Sequence, residues 1–311
     1  MRPLTVLLAR PRGFCAGVER AIRSVEKALE RFGAPVFVRH EIVHNPHVIE
    51  QLAAKGAVFV DELDAVPDGA PVIFSAHGIA AFVRAEAERR GLPYIDATCP
   101  LVTKVHREVE RHASKGRKVI LIGHRGHPEV AGTMGQAALE AVILVQSAQE
   151  AAALPIDQAR SYGLVMQTTL SVRDAEEITA ILRARIPRLH EPSKSDLCYA
   201  TTNRQAAVRA IAHRCEAVVV IGGANSSNSR RLVEVARNAG CTKAVLVQDA
   251  GGLELSFLDG VNTLGLTSGA STPEVLVQEL IARLAARFAI NVEEIVSVTE
   301  DTHFKLPRFP G

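Results

Sequence analysis

Short apolar runs of strand length alternate with helix-like amphipathic segments along the 311-residue chain. This alternation is typical of α/β proteins with mostly parallel sheets. The strand-like runs form three sets: residues 5–9, 35–39, 72–75 and 94–96; residues 118–122, 142–145 and 163–166; and residues 217–221, 244–247 and 262–266. We therefore predict three similar α/β units, at residues 1–98, 99–192 and 193–285, with small sheets around a pseudo-threefold axis. A C-terminal tail, residues 286–311, is predicted to pack back on this core.

A cysteine precedes a helix-like pattern at three places, at nearly equal intervals: Cys15, Cys99 and Cys198. The apolar stripe after Cys15 ends at Gly33, and Pro100 fits the first position of the second helix. Residues suited to cap the second and third helices precede them: Thr98, Ser195 and Asp196. The unpaired amides at a helix start favour an anionic sulfur, so these thiols are predicted metal ligands that converge on one cluster.

An isolated cysteine is most often a small apolar side chain in a protein interior. We predict that role for Cys215 and Cys241, which lie beside predicted strands. No C-x-x-C spacing links the other three cysteines, which argues against a zinc knuckle. Three distant thiolates favour an iron–sulfur cluster bound across the units, with one iron left open for a substrate oxygen.

Two loops rich in hydroxyl and amide groups precede helix-like patterns in the third set. Ser226, Ser227 and Asn228 lie in one loop, and Ser271 lies in the other. Helix N-termini with such donors bind phosphate groups, although the same residues also cap helices when no ligand is involved. Several such loops follow predicted strands, where ligands of open parallel sheets bind, and histidines lie in the corresponding places. We therefore favour an anionic ligand here.

Five further polar residues follow predicted strands in the first two sets. His44, His77 and His127 are either structural histidines or phosphate donors and proton carriers. Glu129 is either a first-turn acid that the helix dipole favours or a proton donor whose pKa negative neighbours raise. Thr168 either caps the helix that begins near residue 171 or orients a hydroxyl group or a water molecule.

Composition excludes several other classes of protein. The formal net charge is +2, acids and bases are interspersed, and the chain has no tryptophan, so no nucleic-acid surface is expected. No apolar run approaches the ~20 residues that span a bilayer, and the N-terminal run is too short for a signal peptide. Five cysteines, an odd number, suit a reducing compartment better than a disulfide framework, so a cytoplasmic protein is expected.

In these motifs the chain resembles the hydroxymethylbutenyl diphosphate reductases, the LytB/IspH family. The resemblance rests on residues 11–18 (PRGFCAGV), 44–46 (HNP), 75–78 (SAHG), 96–102 (DATCPLV), 126–129 (GHPE), 167–170 (QTTL), 199–205 (YATTNRQ) and 225–229 (NSSNS). It implies one [4Fe-4S] cluster held by Cys15, Cys99 and Cys198. It further implies catalytic roles for Glu129, Thr168 and His127, and substrate binding by these residues: His44, His77, His127, Thr168, Ser226, Ser227, Asn228 and Ser271.

The implied reaction is the reductive dehydroxylation of (E)-4-hydroxy-3-methylbut-2-enyl diphosphate to isopentenyl diphosphate and dimethylallyl diphosphate. It is the last step of the non-mevalonate route to isoprenoids, and a ferredoxin or flavodoxin is the expected electron donor. Two alternatives stay open. A non-redox iron–sulfur hydro-lyase would dehydrate a phosphorylated alcohol without a reductant, and a regulatory protein would use the cluster as an oxygen or iron sensor.

Overall fold

The computed structural model describes residues 1–310. The strands are β1 (Arg2–Arg10), β2 (Val36–Arg39), β3 (Ala57–Val60), β4 (Val72–Phe74), β5 (Tyr94–Asp96), β6 (Lys118–Ile122), β7 (Val142–Val145), β8 (Tyr162–Met166), β9 (Leu189–His190), β10 (Ala217–Ile221), β11 (Ala244–Val247), β12 (Thr263–Ser268) and β13 (Phe288–Val296). The α-helices are α1 (Ala16–Phe32), α2 (Pro46–Ala54), α3 (Ala81–Arg89), α4 (Pro100–Ser114), α5 (Pro128–Met134), α6 (Ala148–Ala153), α7 (Val172–Arg185), α8 (Tyr199–Ala212), α9 (Ser227–Asn238) and α10 (Glu274–Ala285).

The strands form three small sheets, with orders β11-β10-β12-β1-β13, β3-β2-β4-β5 and β7-β6-β8-β9. Neighbouring strands run parallel in each sheet. The predicted α/β class with three small parallel sheets is therefore confirmed. Every predicted strand is present, and the short strands β3 and β9 were not predicted.

Contacts divide the chain into two compact units. The first comprises Met1–Ala16, His44–Val48 and Tyr199–His303, and it contains the five-stranded sheet. The second comprises Gly17–Val43, Ile49–Cys198 and the residues from Phe304 on, and it contains both four-stranded sheets. The pseudo-threefold axis and the unit boundaries at residues 98, 192 and 285 stay predictions.

The assignment of the N-terminal strand to the first set is wrong. β1 lies in the sheet of the third set, between β12 and β13. Both of its faces are buried, because Leu4, Val6 and Leu8 join one apolar cluster and Leu7 and Ala9 join another. A strand that is apolar on both faces belongs inside a sheet, but its own sequence does not specify its neighbours.

The C-terminal region adds an edge strand to the same sheet. β13 pairs with β1 over nine residues, from Arg2 opposite Phe288 to Arg10 opposite Val296. Within the predicted tail, residues 286–311, the strand-like apolar pattern is confined to residues 295–298 (IVSV). Polar residues such as Asn291 and Glu293 interrupt the strand-like pattern over the rest of β13. They are tolerated because an edge strand leaves one side open to water.

The central strands carry side chains into a separate core on each face. In β10, Val219 and Ile221 pack in one apolar cluster, whereas Val218 and Val220 pack in another. This two-sided burial is typical of a parallel sheet that helices cover on both faces. It leaves the loops at the strand ends as the places where polar side chains accumulate. Among the described residues, no helix is both long and apolar enough to cross a membrane.

Candidate active site

The three predicted cysteine ligands lie at the N-terminal ends of helices, as the sequence predicts. α1 begins directly after Cys15, and α8 begins directly after Cys198. Cys99 is itself the N-cap of α4, with Pro100 at the start of the helix. All three cysteines are half-buried. Such thiols are anchored by the fold, face the positive end of a helix dipole and stay accessible, which suits an anionic iron–sulfur cluster.

The predicted capping side chains at these helices are wrong. Thr98 precedes Cys99, which is the N-cap of α4, and the hydroxyl of Ser195 accepts a hydrogen bond from the amide of Leu197, which lies before α8. The buried carboxylate of Asp196 instead accepts hydrogen bonds from the amide of Met166 at 3.1 Å and from the ammonium group of Lys104 at 3.0 Å. These partners are distant in sequence, so local capping patterns do not reveal them.

Two of the cysteines are tied through their backbone amides to loops that carry predicted substrate residues. The amide of Cys99 donates to the carbonyl of Ala76 at 3.0 Å, next to His77. The amide of Cys198 donates to the carbonyl of Thr168 at 3.1 Å. In the second unit, the positions of both thiols are thus coupled to the strand-end loops.

Cys215 and Cys241 have a different environment. Both pack against one apolar cluster of the first unit, as predicted. Burial raises the pKa of Cys215 to about 12 and also raises the pKa of Cys241. Thiols held protonated in this way are poor metal ligands. No disulfide involves any of the five cysteines, all of which lie in the described part of the chain.

Glu129 and Thr168 form a buried polar pair in the second unit. One carboxylate oxygen of Glu129 accepts the backbone amide of Thr168 at 2.6 Å, and the other accepts its hydroxyl at 3.0 Å. The two residues are 3% and 5% exposed. Thr168 therefore orients an acid and does not cap α7, whose N-cap is Ser171.

Burial raises the pKa of Glu129 from 4.5 to about 7. The two hydrogen bonds from Thr168 oppose this rise, and the negative charge of Asp196 adds to it. The predicted direction of the pKa shift is confirmed, but its main cause is loss of water contact, which the sequence did not reveal. A carboxyl group with this pKa can give up a proton near neutral pH.

His127 and His77 lie close together beside this pair. Their rings meet edge to face, with centroids 5.8 Å apart. The Nδ1 atom of His127 accepts the amide of Glu129 at 3.1 Å, so His127 caps α5. Because Nδ1 accepts a hydrogen bond, a neutral His127 carries its proton on Nε2 and can donate it to a ligand. Sequence analysis missed this capping role.

The predicted phosphate loops of the first unit also meet. The hydroxyl of Ser226 caps α9 by accepting the amide of Ser229 at 3.3 Å. The hydroxyl of Ser271 donates to the carbonyl of His44 at 2.9 Å and does not cap α10, whose N-cap is Pro273. Of these two predicted phosphate residues, Ser226 caps a helix and Ser271 does not.

Asn228 is positioned as a donor in this group. Its Oδ1 accepts the amide of Ala270 at 3.0 Å, while its buried Nδ2 has no partner within residues 1–310. The buried hydroxyls of Thr267 and Ser268 at the end of β12 are likewise unpartnered among the described residues. These two residues were missed by sequence analysis, although they begin the TSGAS segment that contains Ser271. Unpartnered buried donors are expected where an anionic ligand binds.

The candidate site residues are divided between the units. The first unit contains Cys15, His44, Ser226, Ser227, Asn228 and Ser271. The second contains Cys99, Cys198, His77, His127, Glu129 and Thr168. Among residues 1–310, no three His, Cys, Asp or Glu side chains are grouped closely enough to hold a single metal ion. The ligand set of three cysteines stays a prediction.

Parallel sheets with a buried acid and with donor-rich loops beyond their strands are typical of α/β enzymes. The family model described as "LytB protein" matches residues 6–285. The 4-hydroxy-3-methylbut-2-enyl diphosphate reductase of Phenylobacterium zucineum is 57% identical over 306 residues, which cover 98% of this chain and 97% of that protein. The chain therefore belongs to the LytB family.

Two solved structures agree with this assignment. The E-1-hydroxy-2-methyl-but-2-enyl-4-diphosphate reductase of Plasmodium falciparum matches with a TM-score of 0.95 and 38% identity, over 98% of this chain and 96% of that one. A structure titled as (E)-4-hydroxy-3-methyl-but-2-enyl diphosphate reductase, the terminal enzyme of the non-mevalonate pathway, matches with a TM-score of 0.64 and 29% identity. This match covers 91% of the present chain and 99% of the chain in that structure.

Proposed function

We propose that this chain reduces (E)-4-hydroxy-3-methylbut-2-enyl diphosphate to isopentenyl diphosphate and dimethylallyl diphosphate, the last step of the non-mevalonate route. Membership of the LytB family supports the reaction class. The observation that carries the proposal is the buried carboxyl of Glu129, held at both oxygens by Thr168 and with a pKa of about 7. Removal of a hydroxyl group as water requires such an acid.

Cys15, Cys99 and Cys198 are the residues proposed to hold one [4Fe-4S] cluster. Their half-buried positions at helix N-termini support this choice, in contrast to the protonated thiols of Cys215 and Cys241. When bound, such a cluster supplies electrons and, with three protein ligands, an iron that is open to an oxygen ligand. A ferredoxin or flavodoxin is the proposed source of the electrons.

The diphosphate group is proposed to bind at the donor-rich loops. Ser226, Ser227, Asn228 and Ser271 supply hydroxyl and amide donors, and α9 directs its N-terminal amides and its dipole towards an anion. The histidines proposed to assist are His44, His77 and His127. Of these, His127 offers a proton on Nε2, since its Nδ1 accepts the amide of Glu129.

Proton delivery is the proposed task of Glu129 and Thr168. At neutral pH a large fraction of Glu129 is protonated, because burial raises its pKa to about 7. Its proton passes to the substrate hydroxyl, which leaves as water, and the Thr168 hydroxyl orients the carboxyl group. Overall, the carbon–oxygen bond breaks, a carbon–hydrogen bond forms, and two electrons and two protons are consumed.

The test is product analysis on the anaerobically reconstituted full chain with a chemical reductant. We expect both isopentenyl and dimethylallyl diphosphate, with two electrons consumed per product molecule. A dehydrated diphosphate formed without any reductant would instead identify a hydro-lyase. A cluster that binds without any turnover of the diphosphate would favour a sensor.

A further inference from the structure

Arg204 is a buried charge next to the loop that carries Cys15. It lies on α8 and is the largest fully buried side chain in residues 1–310. Arginine is seldom buried unless its charge is paired. Here the guanidinium group contacts the carboxylate of Glu300 at 3.0 and 3.3 Å. The position of Arg204 therefore depends on a specific partner.

The guanidinium group of Arg204 also holds the backbone before Cys15. Its Nε and Nη2 atoms donate to the carbonyl of Gly13 at 3.2 and 2.8 Å, and Nη2 also donates to the carbonyl of Phe14 at 3.3 Å. Gly13 has a φ of +71°, in the left-handed region that favours glycine. A planar guanidinium group presents several donors in a fixed geometry, which a lysine ammonium group does not reproduce.

The backbone at and after Cys15 is held in the same way. The amide of Cys15 donates to the carbonyl of Ala270 at 3.1 Å. The amide of Ala16 donates to the hydroxyl of Tyr199, the first residue of α8, at 3.0 Å. Residues 13–16 are thus fixed by backbone hydrogen bonds to groups outside the loop.

Glu300 comes from the segment that follows β13. It accepts a second hydrogen bond from the side chain of Asn203 at 3.1 Å, and its side chain is only 16% exposed. Ser297 anchors the start of this segment, because its amide and its hydroxyl both donate to the carbonyl of Arg10. Without Glu300, the guanidinium group of Arg204 would be a buried charge without its counterion, which is strongly unfavourable.

We propose that Arg204, paired with Glu300, is a positioning residue that holds the Cys15 thiol in place for the iron–sulfur cluster. This inference rests on the proposed cluster and deepens it. It assigns the segment after β13 a part in cofactor binding, since that segment supplies the counterion. Residues that orient a metal ligand commonly change metal affinity by about 10- to 100-fold when they are replaced.

The test compares variants of the reconstituted full chain. The double variant Arg204→Met with Glu300→Gln removes both charges and leaves no unpaired ion. We expect its cluster to be lost to an iron chelator about tenfold faster, the electron paramagnetic resonance (EPR) spectrum of the reduced cluster to change, and the amides of Cys15 and Ala16 to exchange hydrogen faster. Arg204→Lys should not restore the wild-type spectrum, because its single ammonium group does not reproduce the geometry of the donors to Gly13 and Phe14.

Arg283→Met is the matched control. The guanidinium group of Arg283 donates hydrogen bonds to the carbonyls of Ala250 and Leu253, in a different loop of the same unit. This variant should keep the wild-type spectrum and the wild-type rate of cluster loss. If the double variant does not fold, Arg204→Lys, which keeps the charge beside Glu300, is measured in its place, and a smaller change in the same measurements is expected.

The outcomes separate this inference from the proposed function. A double variant with a wild-type spectrum and a wild-type rate of cluster loss overturns the positioning role, even if amide exchange is faster. Rescue of the spectrum by Arg204→Lys also overturns it, because charge alone would then suffice. A wild-type chain that takes up no cluster overturns the proposed cofactor itself.

Discussion

The carboxylate of Glu129 accepts both the amide and the hydroxyl of Thr168, at 2.6 and 3.0 Å. This arrangement fixes both oxygens of a buried acid. Glu129→Gln keeps the size and burial of the side chain but removes its transferable proton. We expect turnover to fall by about 10²- to 10⁴-fold, with diphosphate binding and iron content unchanged.

The control for this substitution is Glu150→Gln. Glu150 is also a first-turn acid, at the start of α6, but it is exposed and bonds Gln146. Its replacement should leave turnover unchanged. Near-normal turnover of Glu129→Gln would exclude Glu129 as the proton donor.

The buried position of Glu129 also predicts how stability depends on pH. Burial raises its pKa from 4.5 to about 7, so the folded chain binds the proton more tightly than the unfolded chain. The stabilising contribution of this group is complete below pH 4.5 and is lost as the pH rises through 7. At pH 8.5, Glu129→Gln should therefore raise the free energy of unfolding, by up to about 3 kcal/mol.

Urea unfolding of the cofactor-free full chain at pH 4.5 and 8.5 measures this effect. The gain should be nearly absent at pH 4.5, where the carboxyl group is protonated in the folded state and about half protonated in the unfolded state. An equal effect at the two pH values would contradict the assigned shift in pKa.

Replacing a proposed cysteine ligand or a buried cysteine should have different effects on iron content. Cys99→Ser, at the N-cap of α4, should prevent assembly of a full cluster during anaerobic reconstitution. Cys215→Ser should allow it, because burial raises the pKa of that thiol to about 12. Iron and sulfide counting with EPR spectroscopy checks both variants. The reverse pattern would refute the choice of ligands.

Ser226 combines a helix cap with a proposed phosphate contact, and Ser147 provides a comparison. Both hydroxyls accept an amide at their helix starts, at 3.3 and 3.2 Å. Replacement of either serine by alanine should lower the free energy of unfolding by about 1 kcal/mol. Only Ser226→Ala should also weaken the binding of inorganic pyrophosphate, by roughly tenfold or more. Equal pyrophosphate affinities in the two variants would remove Ser226 from the binding site.

Gly78 follows His77 and adopts a φ of +83°. A Cβ atom there would lie 2.6 Å from Cε1 of His106 on α4. Gly78→Ala should therefore lower the free energy of unfolding, by about 1–2 kcal/mol for the left-handed backbone strain and by about 1–3 kcal/mol more for the overlap with His106. Because the loop must shift, the KM for the diphosphate substrate should rise.

Gly91→Ala is the control for strain alone. Gly91 has a φ of +63°, and a Cβ atom added there would meet no side chain or backbone atom of a more distant residue within 4 Å. Urea unfolding and steady-state kinetics compare the two variants. Equal losses of stability in Gly78→Ala and Gly91→Ala would show that the overlap with His106 does not lower stability.

Local patterns were sufficient for much of the fold and for the choice of site residues. The stripe after Cys15 predicted α1 and its end at Gly33, where the observed φ of +74° requires a residue such as glycine. The Ser226 loop was predicted as a helix start, and Ser226 does cap α9. Such signals act between neighbours in the chain, so sequence alone contains them.

Other features depend on partners that are remote in the sequence. The place of β1 in the sheet is set by β12 and β13, more than 250 residues away. Asp196 was expected to cap a helix, yet its carboxylate accepts hydrogen bonds from the amide of Met166 and the ammonium group of Lys104. The interaction of Arg204 with Gly13 and Glu300 likewise has no local signature.

The sequence by itself determined the α/β class, the helix starts and the polar residues that surround the proposed chemistry, because spacing and residue type express these within a few positions. Only the tertiary structure decided which strands are neighbours, why the pKa of Glu129 is raised, and what holds Cys15 in place. Each of these is a matter of burial or of hydrogen bonds between distant segments. Such terms arise only when the folded chain excludes water and brings those segments together.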